Sequence, residues 1–136
     1  MKKFLLLIIL VVAAMTVSGC GGRDASFGYV DIQKILEGSA KFKELNEQME
    51  KKVTEVQTLD VAEQNTLPAE DYAKNAQMRR NELVALQKDL ENQLKTTLDN
   101  AMEAVANEKK LGAILVKGGV LHGGVDVTDD VLKRMN

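Results

Sequence analysis

Two long stretches with a narrow apolar seam constrain the fold of this chain more than any other feature. In the first stretch, apolar residues recur every three or four positions, which places them on one face of a helix. Most intervening positions are Glu, Lys, Gln or Asn, so the remaining helix surface suits solvent. This helix is predicted to begin near Lys41, and its seam consists of Phe42, Leu45, Met49, Val53, Val56 and Leu59.

A second and longer helix is predicted from about Ala69 to Lys109. Pro68 suits the first turn of a helix, and Glu70 and Asp71 favour the positive end of the helix dipole. Some forty residues at about 1.5 Å each form a rod of roughly 60 Å. Arg79 interrupts the seam of this helix, which otherwise consists of Tyr72, Ala76, Leu83, Leu86, Leu90, Leu94, Leu98, Ala101 or Met102, and Val105.

Two narrow seams joined by one short break predict an antiparallel helical hairpin. This coiled-coil arm would span residues 39–110 and have its tip near 60–68. Two helices of a compact bundle are the alternative, but a bundle requires broader apolar faces. A rod of this length is also difficult to bury in a chain of 136 residues. The hairpin is therefore the favoured prediction.

The amino terminus reads as a lipoprotein signal peptide over residues 1–19. Two lysines precede an apolar run at 4–15, which is too short to span a bilayer but fits the core of a signal peptide. Val17-Ser18-Gly19-Cys20 then resembles a bacterial lipobox, in which the cysteine thiol receives diacylglycerol as a thioether. We expect Cys20 to be lipidated. The alternative is an ordinary secretory signal with a chance cysteine near the cleavage site.

Lipidation at Cys20 predicts a protein of the cell envelope that faces the periplasm. Residues 20–26 would form the lipidated tether, because Gly21 and Gly22 give the chain a flexible exit from the membrane. Several acyl chains on one residue exceed what stable anchoring requires. A Gly rather than an Asp after the cysteine resembles the signal for transfer to the outer membrane, so this membrane is favoured over the inner one.

Residues 27–38 and 111–136 are predicted to form a small β body at the base of the arm. Phe27–Val30 is β-prone, Asp31 can cap a helix over 32–37, and the Gly-Ser pair at 38–39 gives a kink or a second cap. The fold class predicted from these elements is α+β, mostly α. The scarcity of aromatic residues (4%) and of proline (one residue) agrees with long helices rather than a sandwich or barrel.

The carboxyl-terminal part of the body is predicted to contain a β-hairpin and a last helix. Residues 113–116 and 120–122 form short apolar runs, and the glycines at 118–119 suit a tight turn between them. Thr128 is expected to be the N-cap of the last helix, with two aspartates in the first turn. The single histidine, His122, falls in the second strand and is expected to be a strand side chain rather than a ligand or a base.

Several functional classes are disfavoured by the sequence. After removal of residues 1–19, the chain carries 16 basic and 20 acidic side chains, and an acidic chain is poorly suited to nucleic acid. One His and one Cys leave little room for metal or nucleophile chemistry. The glycine pairs lack the Gly-Lys-Ser/Thr ending that holds nucleotide phosphates. We therefore expect neither enzymatic activity nor a cofactor, a metal or a nucleic-acid partner.

The two ends of the mature chain resemble the Skp/OmpH family of periplasmic chaperones. Phe27-Gly28-Tyr29-Val30-Asp31 with Ile35-Leu36 looks like the opening strand and first helical turn of that family. Residues 119–136 look like its closing strand and helix, above all through Asp-aliphatic-Thr at 126–128 followed by an aliphatic pair and basic residues. The order strand, long helical hairpin, β-hairpin and short helix covers the whole mature chain, although the middle matches only as a coiled coil.

The resemblance implies a trimer in which a β body holds three pairs of helical arms around a cavity. Unfolded outer-membrane proteins would be held in this cavity without ATP. The sequence departs from the family's best-known member in its lipobox, in its acidic arms and in His122, where members often carry an aromatic residue. Between residues 39 and 110 there are 11 basic and 14 acidic side chains, whereas the arms of the best-known member are basic.

The sequence itself also favours an assembly, since one strand and a two-stranded hairpin leave open sheet edges. The expected function is an ATP-independent, membrane-anchored holdase for unfolded envelope proteins; the alternative is a structural coiled-coil lipoprotein, a spacer or assembly factor with a defined protein partner. Client-binding residues are not assigned. The expected interface of the homotrimer consists of Phe27, Tyr29, Ile114, Val116, Val120 and Leu121.

Overall fold

The computed structural model describes residues 26–136. The predicted signal peptide, the lipobox with Cys20 and nearly all of the tether lie outside these residues. The described chain contains strand β1 (Phe27–Val30), helix α1 (Ile32–Gly38), helix α2 (Ala40–Gln64), helix α3 (Ala69–Lys109), strand β2 (Ala113–Val116), a 3-10 turn (Lys117–Gly119), strand β3 (Val125–Asp126) and helix α4 (Thr128–Met135). Residues 26–136 are mostly helical, at 76%, with one small sheet.

The sheet is parallel throughout, with strand order β2-β1-β3. Phe27 pairs with Ala113 and Val30 with Val116, so β2 lies in register along the whole of β1. The shorter β3 pairs with the other edge of β1 at Gly28 and Tyr29. Parallel pairing requires a long crossover connection, and the two long helices between β1 and β2 provide it.

The predicted β-hairpin is wrong. The strand at 113–116 exists, but its partner is β1, and residues 120–122 are not a strand. The glycines at 118–119 belong to a 3-10 turn, and the glycines with positive φ are instead Gly123 and Gly124. After β2 the chain turns away at Lys117, and it pairs with the opposite edge of β1 as strand β3.

The two long helices follow their predictions closely, and the connection between them is shorter than predicted. Helix α3 has the predicted bounds, with both acids in its first turn, and α2 begins at Ala40. Helix α2 continues to Gln64, so the turn covers only residues 65–68 rather than 60–68. Leu59 is 39% exposed and lies at the edge of the seam rather than within it.

Side-chain caps begin the first two helices, whereas the predicted cap of the last helix is wrong. The Asp31 carboxylate accepts a hydrogen bond from the Lys34 amide at 3.4 Å, and the Ser39 hydroxyl accepts one from the Phe42 amide at 3.2 Å. Ser39 is thus the second cap that the sequence allowed. Thr128 is the first residue inside α4 instead of its N-cap, because its hydroxyl and amide both donate to Asp126.

The apolar core lies in the body, between the inner face of the sheet, the carboxyl-terminal end of α3 and the helices α1 and α4. Gly28 allows a close approach here, since a Cβ atom at this position would lie 2.8 Å from Leu111 Cδ1. At the junction of α1 and α2, the Asn136 side chain accepts a hydrogen bond from the Ala40 amide at 2.7 Å. The core consists of Val30, Ile35, Ala101, Val105, Val127, Val131 and Met135.

Candidate functional site

The outer face of the small sheet is the first candidate site, because apolar side chains lie there with little cover. Side chains of registered parallel neighbours point to the same face, so Phe27 shares its face with Ala113, and Tyr29 shares its face with Leu115. Phe27 and Tyr29 are half-buried, and Leu115 is exposed. Gly124 contacts the Phe27 ring so closely that a Cβ atom there would lie 2.5 Å from Cε2.

The residues predicted for the trimer interface do not all share this face. Ile114 pairs with Gly28 and packs against the core of its own chain, and Val116 pairs with the inward-facing Val30. Val120 and Leu121 lie beyond β2 in the segment that precedes β3, and Leu121 is fully exposed at 102%. Thus Phe27 and Tyr29 are brought together, Ile114 is on the opposite face, and Leu121 projects into solvent.

A polar cluster joins the carboxyl ends of the three strands. Lys117, which follows β2, lies with its Nζ 3.0 Å from Asp31 Oδ2, which follows β1. The Thr128 hydroxyl accepts a hydrogen bond from the Asp31 amide at 3.0 Å and donates to Asp126 Oδ1, at the end of β3, at 2.6 Å. The cluster therefore ties both outer strands and α4 to the end of β1.

The electrostatics of this cluster follow from these contacts. The hydrogen bond from Lys117 holds the pKa of Asp31 below its ordinary value, and the same contact raises the pKa of Lys117. The pKa of Asp126 is lowered mainly by the hydrogen bonds from the hydroxyl and the amide of Thr128. The charged forms of the carboxylates are stabilised, which suits a structural role better than proton transfer near neutral pH.

The surface of the α2–α3 pair is the second candidate site. The start of α2, near Phe42, contacts the middle of α3. The end of α2 contacts the start of α3, near Arg79. A shallow groove between the helices, with a volume of about 140 Å³, is lined mainly by apolar side chains of Phe42, Leu45, Met49, Leu90 and Leu94. Farther along, Val61, Met78 and Val84 are each at least half exposed.

A layer of charged residues near the turn was not foreseen from the sequence. Arg79 is buried on the α3 seam and contacts Asp60 and Glu63 of α2. A signal for this layer exists, since Asp60 and Glu63 follow Val56 at intervals of four and three and so continue its seam with acids. His122, by contrast, lies exposed in the glycine-flanked segment and outside any strand, so its predicted strand position is wrong.

The described part of the chain offers no site for a metal ion formed by three or more His, Cys, Asp or Glu side chains. Within residues 26–136, no helix is both long enough and apolar enough to cross a membrane. No protein-family model matches the sequence. A search of curated proteins also finds no match.

Proposed function

We propose that this chain is an ATP-independent holdase chaperone of the cell envelope, anchored to a membrane through Cys20. In this proposal α2 and α3 form an antiparallel hairpin arm, and three copies associate through their β bodies. The observation that carries the proposal is the combination of a small body, whose sheet has an open apolar face, with a long and solvent-exposed helix pair. The resemblance of both chain ends to the Skp/OmpH family supports it.

The sheet supports the assembly part of the proposal. Strand β1 is bonded on both sides, but β2 and the two-residue β3 each have an outer edge to which no other strand of residues 26–136 is bonded. A sheet with two short edge strands is marginal alone, and edges of this kind are readily completed by another strand. Tyr29 and Leu115 add apolar area next to these edges. Three bodies that share these surfaces would leave their arms side by side around a cavity.

The arm surface supports the holdase part of the proposal. Holding an unfolded chain requires a shielded volume and many weak contacts rather than one specific pocket. Exposed apolar side chains such as Val61, Met78 and Val84 are scattered among charged ones along both helices. Methionine in particular adapts its shape to different partners. The acidic arms would favour basic segments of a client and disfavour anionic headgroups.

Sedimentation of the assembled chain tests the function. The mature chain carrying Cys20→Ser should sediment as a trimer, and an added unfolded β-barrel protein should shift with it and stay in solution. If the chain is instead a coiled-coil spacer or assembly factor, it should bind one defined envelope partner and leave the aggregation of unfolded clients unchanged. Unchanged aggregation for several unrelated β-barrel proteins would therefore contradict the holdase.

The anchor has a test of its own. Cys20→Ala removes the thiol that would carry diacylglycerol, so the variant should lose the lipid and should not be processed at residue 19. Mass spectrometry of the wild-type amino terminus should show two or three acyl chains on Cys20. A mature wild-type amino terminus without lipid would refute the anchor but would leave the soluble holdase open.

A further inference from the structure

The seam between α2 and α3 changes from apolar to ionic near the turn. On α3, Arg79 follows Ala76 by three residues and so occupies a seam position, where its side chain is only 10% exposed. On α2, Asp60 and Glu63 occupy the seam positions that follow Val56. Both helices therefore place charged side chains where coiled coils usually place apolar ones.

The geometry of this layer leaves the Arg79 guanidinium well satisfied. Arg79 Nε donates to Asp60 Oδ1 at 2.8 Å, and Arg79 Nη1 donates to Glu63 Oε2 at 2.9 Å. Asn75 Nδ2 donates to the same Glu63 oxygen at 3.1 Å. The hydrogen bonds from Arg79 and Asn75 outweigh the nearby charge of Asp60 and hold the pKa of Glu63 below its ordinary value.

The tip beyond this layer has little else to hold it closed. Within residues 57–82 of the described chain, the only buried apolar side chain is that of Ala76. Leu67 and Tyr72 are half-buried, and Leu59 and Val61 are exposed. Because small apolar contacts contribute little, the pairing of the two helices in this region depends on the charged layer.

We propose that Arg79, Asp60 and Glu63 form a charge-dependent clasp that closes the arm tip, and that residues 57–82 open as a unit separate from the body. A partly buried ionic contact of this kind is effective only while both partners are charged and correctly placed. Protonation of Glu63 therefore loosens the clasp, as does strong salt. This device is independent of the proposed chaperone function, since it concerns the pairing of α2 with α3 within one chain.

Hydrogen exchange of the full chain in detergent micelles tests the clasp. In Arg79→Met the amides of residues 57–82 should exchange about tenfold faster or more than in the wild type, because local opening determines their protection. The amides of residues 27–38 in the body should keep their wild-type rates. The matched control is Arg80→Met, since Arg80 is the adjacent arginine but is exposed.

Equal exchange in Arg79→Met and Arg80→Met would overturn the proposal. Acceleration that extends equally into the body would overturn it as well, because the tip would then not be a separate unit. Wild-type protection of residues 57–82 should also fall as the pH drops below about 4.5, the ordinary pKa of Glu. Below this pH the unfolded chain already binds a proton at Glu63, whereas the folded state, in which the pKa of Glu63 is lower, resists protonation.

A triple variant keeps the test informative if the single variant unfolds. Asp60→Leu with Glu63→Leu and Arg79→Met converts the layer into an apolar seam, which commonly replaces a buried ion pair without loss of stability. The tip of this variant should be at least as protected as that of the wild type, and its protection should no longer depend on acid within this range. If the protection of the tip in this variant still falls in acid as it does in the wild type, the clasp is not the cause of the acid sensitivity.

Discussion

The body, together with the carboxyl-terminal end of α3, buries seven side chains in one continuous cluster, whereas the rest of the α2–α3 pair buries single side chains at wide intervals along a seam. Val30 and Ile35 of the body and Val105 of α3 are completely or almost completely buried. Along the α2–α3 seam, Leu45, Val56 and Leu90 are buried, but the next buried side chain of α3 toward the turn is the ion-paired Arg79. The same chain is thus held by close apolar packing at one end and by spaced contacts and charges at the other.

The largest difference between the two regions should appear when a side chain is truncated in each. Ile35→Ala removes a fully buried side chain from the body core and should lower the free energy of unfolding by about 2–5 kcal/mol. Val61→Ala truncates a β-branched side chain that is 67% exposed on the arm and should change it by less than about 0.5 kcal/mol. Urea denaturation followed by circular dichroism measures both. Comparable losses in the two variants would contradict the division into a packed body and a loosely held arm.

A smaller effect is expected when a methyl group is added to Gly28 in the body. In Gly28→Ala the new Cβ would meet Leu111 Cδ1 at 2.8 Å and Val127 Cγ2 at 3.2 Å, so the neighbouring core must move. Such overpacking should cost about 1–3 kcal/mol in the free energy of unfolding. Gly118→Ala is the control, because no atom lies within 4 Å of its added Cβ. Thermal unfolding of the two variants side by side measures the difference, and equal melting temperatures would refute the close contact at Gly28.

The two long helices were predictable from the sequence because helix formation depends on local residues. Apolar spacing, Pro68 and the acids after it determine α3 without reference to distant residues, and the predicted bounds of α3 are confirmed. The Arg79 layer was missed because a charge on a seam was interpreted as an imperfection. The two acids that continue the α2 seam would have identified its partners, since opposite charges on facing seams can pair.

The body was less predictable because its sheet is made from distant segments. The glycines at 118–119 favour a tight turn locally, but the strand before them pairs with β1, about ninety residues earlier in the chain. A short apolar run such as residues 113–116 indicates a strand but does not identify the segment that it pairs with. The error had a consequence for the site, because only parallel strands bring Asp31, Lys117 and Asp126 to one edge of the sheet. The structure also packs Ile114 partly against the core of its own chain, on the face opposite to Phe27 and Tyr29.

Two double variants test whether the copies associate through their bodies, as proposed, or through their arms. Tyr29→Ser together with Leu115→Ser removes apolar area from the outer sheet face and should weaken association of the copies by roughly tenfold or more. Val61→Ser together with Val84→Ser removes comparable exposed side chains from the arm and should leave association unchanged. Sedimentation velocity over a range of concentrations measures both pairs. A tenfold weakening in the arm variant alone would mean that the copies associate through their arms.

The smallest predicted effect concerns acid and the polar cluster at the strand ends. The folded state holds the pKa values of Asp31 and Asp126 below the ordinary value of 3.8, so both carboxylates stabilise the body fully above that pH. As the pH falls through their folded pKa values, the folded state must take up protons that the unfolded chain already binds, and the free energy of unfolding decreases.

Lys117→Met should reduce this dependence, because Lys117 makes the largest contribution to the lowered pKa of Asp31. The variant should be less stable than the wild type at pH 7, and its stability should decline less steeply between about pH 4 and pH 2. Lys133→Met is the matched control, since Lys133 is an exposed lysine on α4. Hydrogen exchange of the body amides at 27–38 distinguishes this decline from opening of the arm tip, which responds to Glu63 instead. A wild-type slope in Lys117→Met would mean that the Lys117–Asp31 contact does not hold the edge of the sheet, and the hydrogen bonds of Thr128 to Asp31 and Asp126 would then be its remaining polar contacts.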